Sequence, residues 1–145
     1  MDTRVIELIN KLKVATFEEN FIDVSQEVTE ELENRSDAFE AVEPILRIME
    51  RNPNVDYGRP GPFVHFVEKF YKNGYEEKLV ESLSRKPTKH TVWMLNRIIN
   101  GSHDDKKGYY IGVLEKVIAF PNLDADIISL AQHFQSLHMR NKGML

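Results

Sequence analysis

The chain has 145 residues, 41% of them hydrophobic and 29% charged, with no cysteine and a formal net charge of −4. That length fits one domain with a real core, and the mixture is that of a globular chain, not a disordered or fibrous one. The lack of cysteine excludes disulfides, thiolate zinc sites, iron–sulfur ligation and cysteine nucleophiles.

No apolar run approaches the roughly 18–20 residues of a membrane span. The opening Met-Asp-Thr-Arg lacks the charged-then-apolar pattern of a secretory signal. A cytoplasmic protein without membrane association is therefore expected.

Helical periodicity dominates the chain. Asp2 or Thr3 can cap a first helix to about Lys13, with Val5, Ile6, Ile9 and Leu12 on one face. Thr16-Phe17-Glu18-Glu19 reads as a capping box, a hydroxyl followed three residues later by a carboxylate. The helix behind it runs to about Glu33 on a stripe of Phe17, Phe21, Val24, Val28 and Leu32, with carboxylates over most of its remaining surface. Ser36 or Asp37 caps a third helix to about Glu50, with Ala38, Ala41, Val42, Ile45, Leu46 and Met49 inside. Pro44 is expected to kink or break it, because proline removes a backbone donor and clashes with the preceding turn.

Arg51 to Gly61 is the longest loop, and Gly58-Arg59-Pro60-Gly61 reads as a turn that fixes the next helix. Pro62 suits that helix's first turn, Phe63, Phe66, Val67, Phe70 and Tyr71 form its aromatic face, and Asn73-Gly74 ends it. Tyr75 to Ser84 is a short helix with Leu79, Val80 and Leu83 inside. Thr88 caps a helix over His90 to Asn100 that turns Val92, Leu95, Ile98 and Ile99 inward. Asp104 or Asp105 opens a helix to about Phe120 on Tyr110, Val113, Leu114, Val117 and Ile118. Pro121 to Asp124 breaks the chain and caps a last helix carrying Ile127, Leu130, Ala131, Phe134 and His138, whose tail frays from Arg140.

The expectation is an all-α single domain over 1–145 with about eight helices in antiparallel hairpins. Helix pairs over 37–73, 75–100 and 105–138 start at spacings near those of helical-hairpin repeats. Either a HEAT-like α-solenoid or an irregular right-handed bundle fits, with acidic N-terminal helices over 1–56 and hairpins over 57–145.

Charge is unevenly spread. Residues 1–56 hold 14 acidic and 6 basic residues, a net −8, whereas residues 57–145 hold 9 acidic and 13 basic, a net +4. Between Glu18 and Glu43 ten carboxylates meet Arg35 alone. Such a run is either a solvated, solubilising helix face or a landing surface for a basic partner.

Catalytic patterns are absent. His133 and His138 are five apart and do not share a helix face; His65 and Glu68 would give only two metal ligands. No Gly-x-Ser-x-Gly elbow or Walker loop occurs. The expectation is a non-enzyme without metal or cofactor. Direct nucleic-acid binding is not expected from an acidic chain whose basic stretch is interrupted by Glu68, Glu76, Glu77 and Glu81.

Residues 57–101 stand out by content. Tyr57-Gly-Arg-Pro-Gly-Pro-Phe-Val-His-Phe66 is followed by Pro87-Thr-Lys-His-Thr-Val-Trp-Met-Leu-Asn-Arg97. On a helix, His90, Trp93 and Arg97 share one face. Either Trp93 packs between hairpins while Asn96 and Arg97 tie down loop carbonyls, or the three form a polar–aromatic groove of the type that anchors interfaces.

This stretch, with the size and hairpin plan, resembles the small α-helical immunity proteins of bacterial polymorphic or contact-dependent toxin systems. The resemblance implies a cytoplasmic antidote that occludes the C-terminal domain of a cognate toxin, with no turnover. A carboxylate face suits the basic cleft of a nuclease toxin. Glu27, Glu30, Glu31, Asp37 and Glu40 are the candidate contact residues on the acidic surface, with His90, Trp93 and Arg97 as a second surface. The rival expectation is a HEAT-like scaffold module for protein–protein interaction.

Overall fold

Asp2 starts the first helix as its residue type dictates: its Oδ1 accepts the Arg4 N–H at 2.8 Å. In the computed structural model, which describes residues 1–141, that helix is α1 (Thr3–Ala15). It is followed by α2 (Phe21–Glu33), a short 3-10 helix (Ala38–Ala41), α3 (Val42–Arg51), α4 (Pro62–Glu68), α5 (Tyr75–Arg85), α6 (Lys89–Gly101), α7 (Asp104–Ile118) and α8 (Ala125–Asn141). The fold is all-α: among the described residues there are eight α-helices and no strand. None of these helices is long and apolar enough to cross a membrane. The fraying expected from Arg140 falls largely on residues outside the described range.

The chain divides into two compact units, residues 1–78 and residues 79–145, with the division inside α5. In the first unit α1 and α2 form a hairpin, and α2 also packs on α4. The inner face of α1 is Val5, Leu8, Ile9, Leu12 and Ala15, the helical spacing expected, although Leu8 takes the buried place and Ile6 stays exposed. Phe21, Tyr57 and Phe63 form an aromatic cluster with ring centroids 5.4–5.7 Å apart. Tyr57 lies in the long loop, and its phenol donates to the Asn52 carbonyl at 2.8 Å. Burial pushes its ionisation well above the usual phenol range. The turn behind it requires glycine twice. Gly58 has φ of +93°, and a Cβ on Gly61 would lie 1.6 Å from the Tyr57 carbonyl oxygen. Thus Gly58 to Gly61 is a turn that seats α4, as its composition indicates.

In the second unit α6 packs on both α7 and α8, and α7 and α8 form a second hairpin. Its core draws on Val92, Leu95, Ile99, Leu114 and Ala131, all inaccessible to solvent. Thr88 caps α6 in a reciprocal box with Thr91: the Thr91 N–H donates to Thr88 Oγ1 at 3.1 Å and the Thr88 N–H to Thr91 Oγ1 at 3.0 Å.

Several local expectations are corrected. Thr16 does not open α2. Its hydroxyl and its N–H both donate backwards to the Leu12 carbonyl, at 2.8 and 3.1 Å, so it closes α1, and the next helix starts five residues later with Asn20 at its cap position. A turn over residues 16–20 follows, α2 starts at Phe21, and Phe17 leaves the apolar stripe for solvent. The helix expected over 37–50 does divide near Pro44: residues 38–41 form a 3-10 turn and α3 begins at Val42, two residues before the proline. Pro44 is the third residue of α3, where no intrahelical N–H bond is yet due, and the irregularity lies upstream in the 3-10 turn. α4 ends at Glu68, five residues before Asn73, and the chain reaches α5 through turns in which Lys72 has φ of 66° and Gly74 φ of 104°. The cap of α7 is His103; Asp104 and Asp105 sit in its first turn, where they complement the helix dipole.

Candidate functional site

The acid run of the sequence lies mostly on α2 and in the segments flanking it, and the fold sorts its members into two groups. One group is engaged in ion pairs within the first unit. Arg4 of α1 meets Glu31 of α2 in a two-pronged pair, Nε to Oε2 and Nη2 to Oε1, both 2.6 Å, and also reaches Glu7 at 3.2 Å. Lys11 lies 3.5 Å from Glu27. Residue 4 facing 31 and residue 11 facing 27 is the register of an antiparallel hairpin. Arg35 links Asp37 at 2.8 Å and Asp2 at 3.0 Å, and Lys69 reaches Glu33 at 2.6 Å. Hydrogen bonds from Arg4 hold the Glu31 carboxyl below the usual carboxylate range, and those from Arg35 do the same for Asp37. At Glu43 burial acts to raise the value, but bonds from Arg47 and Lys78 outweigh it and the net shift is downward.

The second group is exposed. Glu18, Glu19, Asp23, Glu30 and Glu40 have no cationic partner among the described residues; Glu30 accepts only from Gln26, at 2.8 Å. Of the five candidate acids, therefore, Glu30 and Glu40 stand outward, whereas Glu27, Glu31 and Asp37 are engaged within the chain. Glu18, Glu19 and Asp23 belong to the same run but were not singled out by the sequence. They became distinguishable only once α1 was seen to deliver its cations to Glu27 and Glu31 and not to them.

The large apolar side chains nearest this surface are not all covered. Phe17 is 79% exposed and Val14 68%. An open cleft of about 370 Å³ is bordered by Val14, Ala15 and Val24 together with Glu7, Asn10, Lys11 and Glu18.

The other candidate surface is on α6. Its outward stripe carries Lys89, Trp93 and Arg97, all exposed, with His90 half-buried beside it. Trp93 is 53% exposed and meets Phe134 of α8 edge-on, with centroids 5.2 Å apart. His133 lies 5.8 Å from the same Phe134 ring, and Lys89 reaches Asp126 at 3.6 Å. Trp93 is thus not sealed between hairpins. Asn96 is not spent on a loop carbonyl but on His138, whose Nε2 lies 2.6 Å from its Oδ1 in a buried pair.

Among the described residues no three His, Asp or Glu side chains gather in a metal-binding arrangement. His65 is exposed on α4. Comparison of the chain with family models, with curated proteins and with solved structures gives no match.

Proposed function

We infer that the protein is a stoichiometric binding protein of the immunity type, which covers the active site of a basic bacterial toxin domain and performs no turnover. The observation that carries the reading is the exposed carboxylate set Glu18, Glu19, Asp23, Glu30 and Glu40, which has no cationic partner among the described residues while its neighbours are neutralised from α1 and Arg35. Unpaired carboxylates on a helical scaffold attract a basic cleft at long range and become strong pairs once water is excluded on docking. Exposed Trp93 gives the second unit a residue of the kind that anchors interfaces.

The test is co-expression with the C-terminal domain of the protein encoded by the neighbouring gene. Growth should be rescued and the two chains should co-purify in equal amounts. Changing all five free acids to Lys should abolish both while the helical circular dichroism persists. Rescue that survives this reversal at physiological salt removes the acidic-face mechanism. Absence of rescue by the unaltered chain removes the immunity reading.

A further inference from the structure

We propose that the cleft between the outer face of α1 and the beginning of α2 docks a partner segment in which apolar side chains alternate with lysine or arginine. The inference rests on the reading above, of a binder for basic partners, and names the anchor point that the carboxylates alone do not supply.

Val14, which borders the cleft, and Phe17, which does not border it but directly precedes the bordering Glu18, are the two most exposed large apolar side chains among the described residues, at 68% and 79%. Neither has a structural task that requires its size. The turn over residues 16–20 is held by the Thr16 hydroxyl on the Leu12 carbonyl and by backbone bonds, Glu18 N–H to the Ala15 carbonyl at 2.9 Å and Phe21 N–H to the Glu18 carbonyl at 3.1 Å. Val14 continues an exposed stripe of α1 that begins at Ile6, 44% exposed, and passes through Asn10. The stripe borders the cleft, whose volume of about 370 Å³ and apolar members Val14, Ala15 and Val24 suit a few side chains of a partner, not a whole domain.

Charge complementarity fixes the occupant. Glu7 borders the cleft but is paired with Arg4 at 3.2 Å; Glu18 also borders it, and Glu18, Glu19 and Asp23 have no cationic partner among the described residues. The cation bordering the cleft, Lys11, is turned to Glu27 at 3.5 Å. An apolar centre within a polar, charged rim is the anatomy of a protein interface. A carboxylate rim repels acidic peptides and anionic lipid surfaces and favours a segment that brings its own cations.

The test uses the full chain, labelled with nitrogen-15, and short peptides of alternating Lys and Leu, of Lys and Gly, and of Glu and Leu. The Lys–Leu peptide should shift resonances of residues 7–24 and not those around Trp93. It should bind about tenfold more tightly than Lys–Gly, and Glu–Leu should not bind. Phe17→Ser and Val14→Ser should each weaken the Lys–Leu peptide about tenfold with the thermal midpoint unchanged. Equal binding of Lys–Gly and Lys–Leu, unchanged binding to F17S, or shifts confined to other residues would each overturn the proposal. So would a concentration-dependent dimer that F17S abolishes, since the occupant would then be a second copy of the chain. The two readings fail separately. If F17S still rescues growth from the toxin while the five-acid reversal does not, the cleft is wrong and the immunity reading stands. If the peptides behave as expected but no toxin is neutralised, the cleft stands and the immunity reading falls.

Discussion

The α1–α2 hairpin and the α6–α7–α8 group solve the same problem, fixing helices against one another, with opposite placement of their polar groups. In the first, Arg4–Glu31 and Lys11–Glu27 bridge the helices at the surface, with side chains between 42% and 72% exposed. In the second, Asn96–His138 and Thr88–Thr91 are closed off from water. Exposed ion pairs add little to stability, whereas a buried donor or acceptor left alone costs its full desolvation. The charge on α2 is therefore poorly explained as a stabilising device, and the hydrogen bonds of the second unit are poorly explained as anything else.

The largest effect should come from neither kind of polar contact. Phe63→Ala empties the centre of the Phe21–Tyr57–Phe63 cluster and should cost about 3–5 kcal/mol in chemical denaturation. A loss below that of the buried polar variants would mean that the first unit does rely on its surface pairs.

Next comes the buried pair of the second unit. Asn96→Ala or His138→Ala should each cost about 1–3 kcal/mol, since each leaves a partner enclosed without its bond. The double replacement N96A/H138A should cost less than the two single changes sum to, because the bond between them is lost only once. Strict additivity in that cycle would show that the bond contributes nothing of its own. Below it, Thr88→Ala should cost about 1 kcal/mol through loss of the α6 cap. An unchanged denaturation midpoint would assign the box no energetic role.

The sequence made the helices legible because each unit buries a stripe of period near 3.6, as at Val5, Leu12, Val92, Leu95 and Ile99. It also gave the Thr88 cap and the first-turn Pro62. It failed at Thr16 because a hydroxyl followed three residues on by a carboxylate marks a cap only where a helix begins, and here the chain turns over residues 16–20 before α2. The same turn hid Phe17: at helical spacing from Phe21 it reads as core, and only the turn over residues 16–20 moves it into water. The candidate surface was half legible. That α2 and its flanks are acidic is plain in the sequence. Which acids are free depends on where α1 brings Arg4 and Lys11, a tertiary fact that no local spacing contains.

The smallest expected effect is the most direct probe of the surface pairs. Arg4→Gln should barely move the thermal midpoint near neutral pH, and half-molar salt should erase what difference remains. The pH dependence has a definite sign. The Glu31 carboxyl, bonded to Arg4, holds its proton less readily in the folded chain than in the unfolded one. Its contribution is therefore complete above the unfolded carboxylate value of about 4.3 and is lost as the pH falls through the lower folded value. The small gap between the unaltered chain and R4Q should stay flat from about pH 7 to 5 and close in more acidic solution. A gap that persists undiminished in acidic solution would mean that Arg4 stabilises the fold through its aliphatic stem and not through Glu31. In that case α2 would have one more carboxylate to offer a partner.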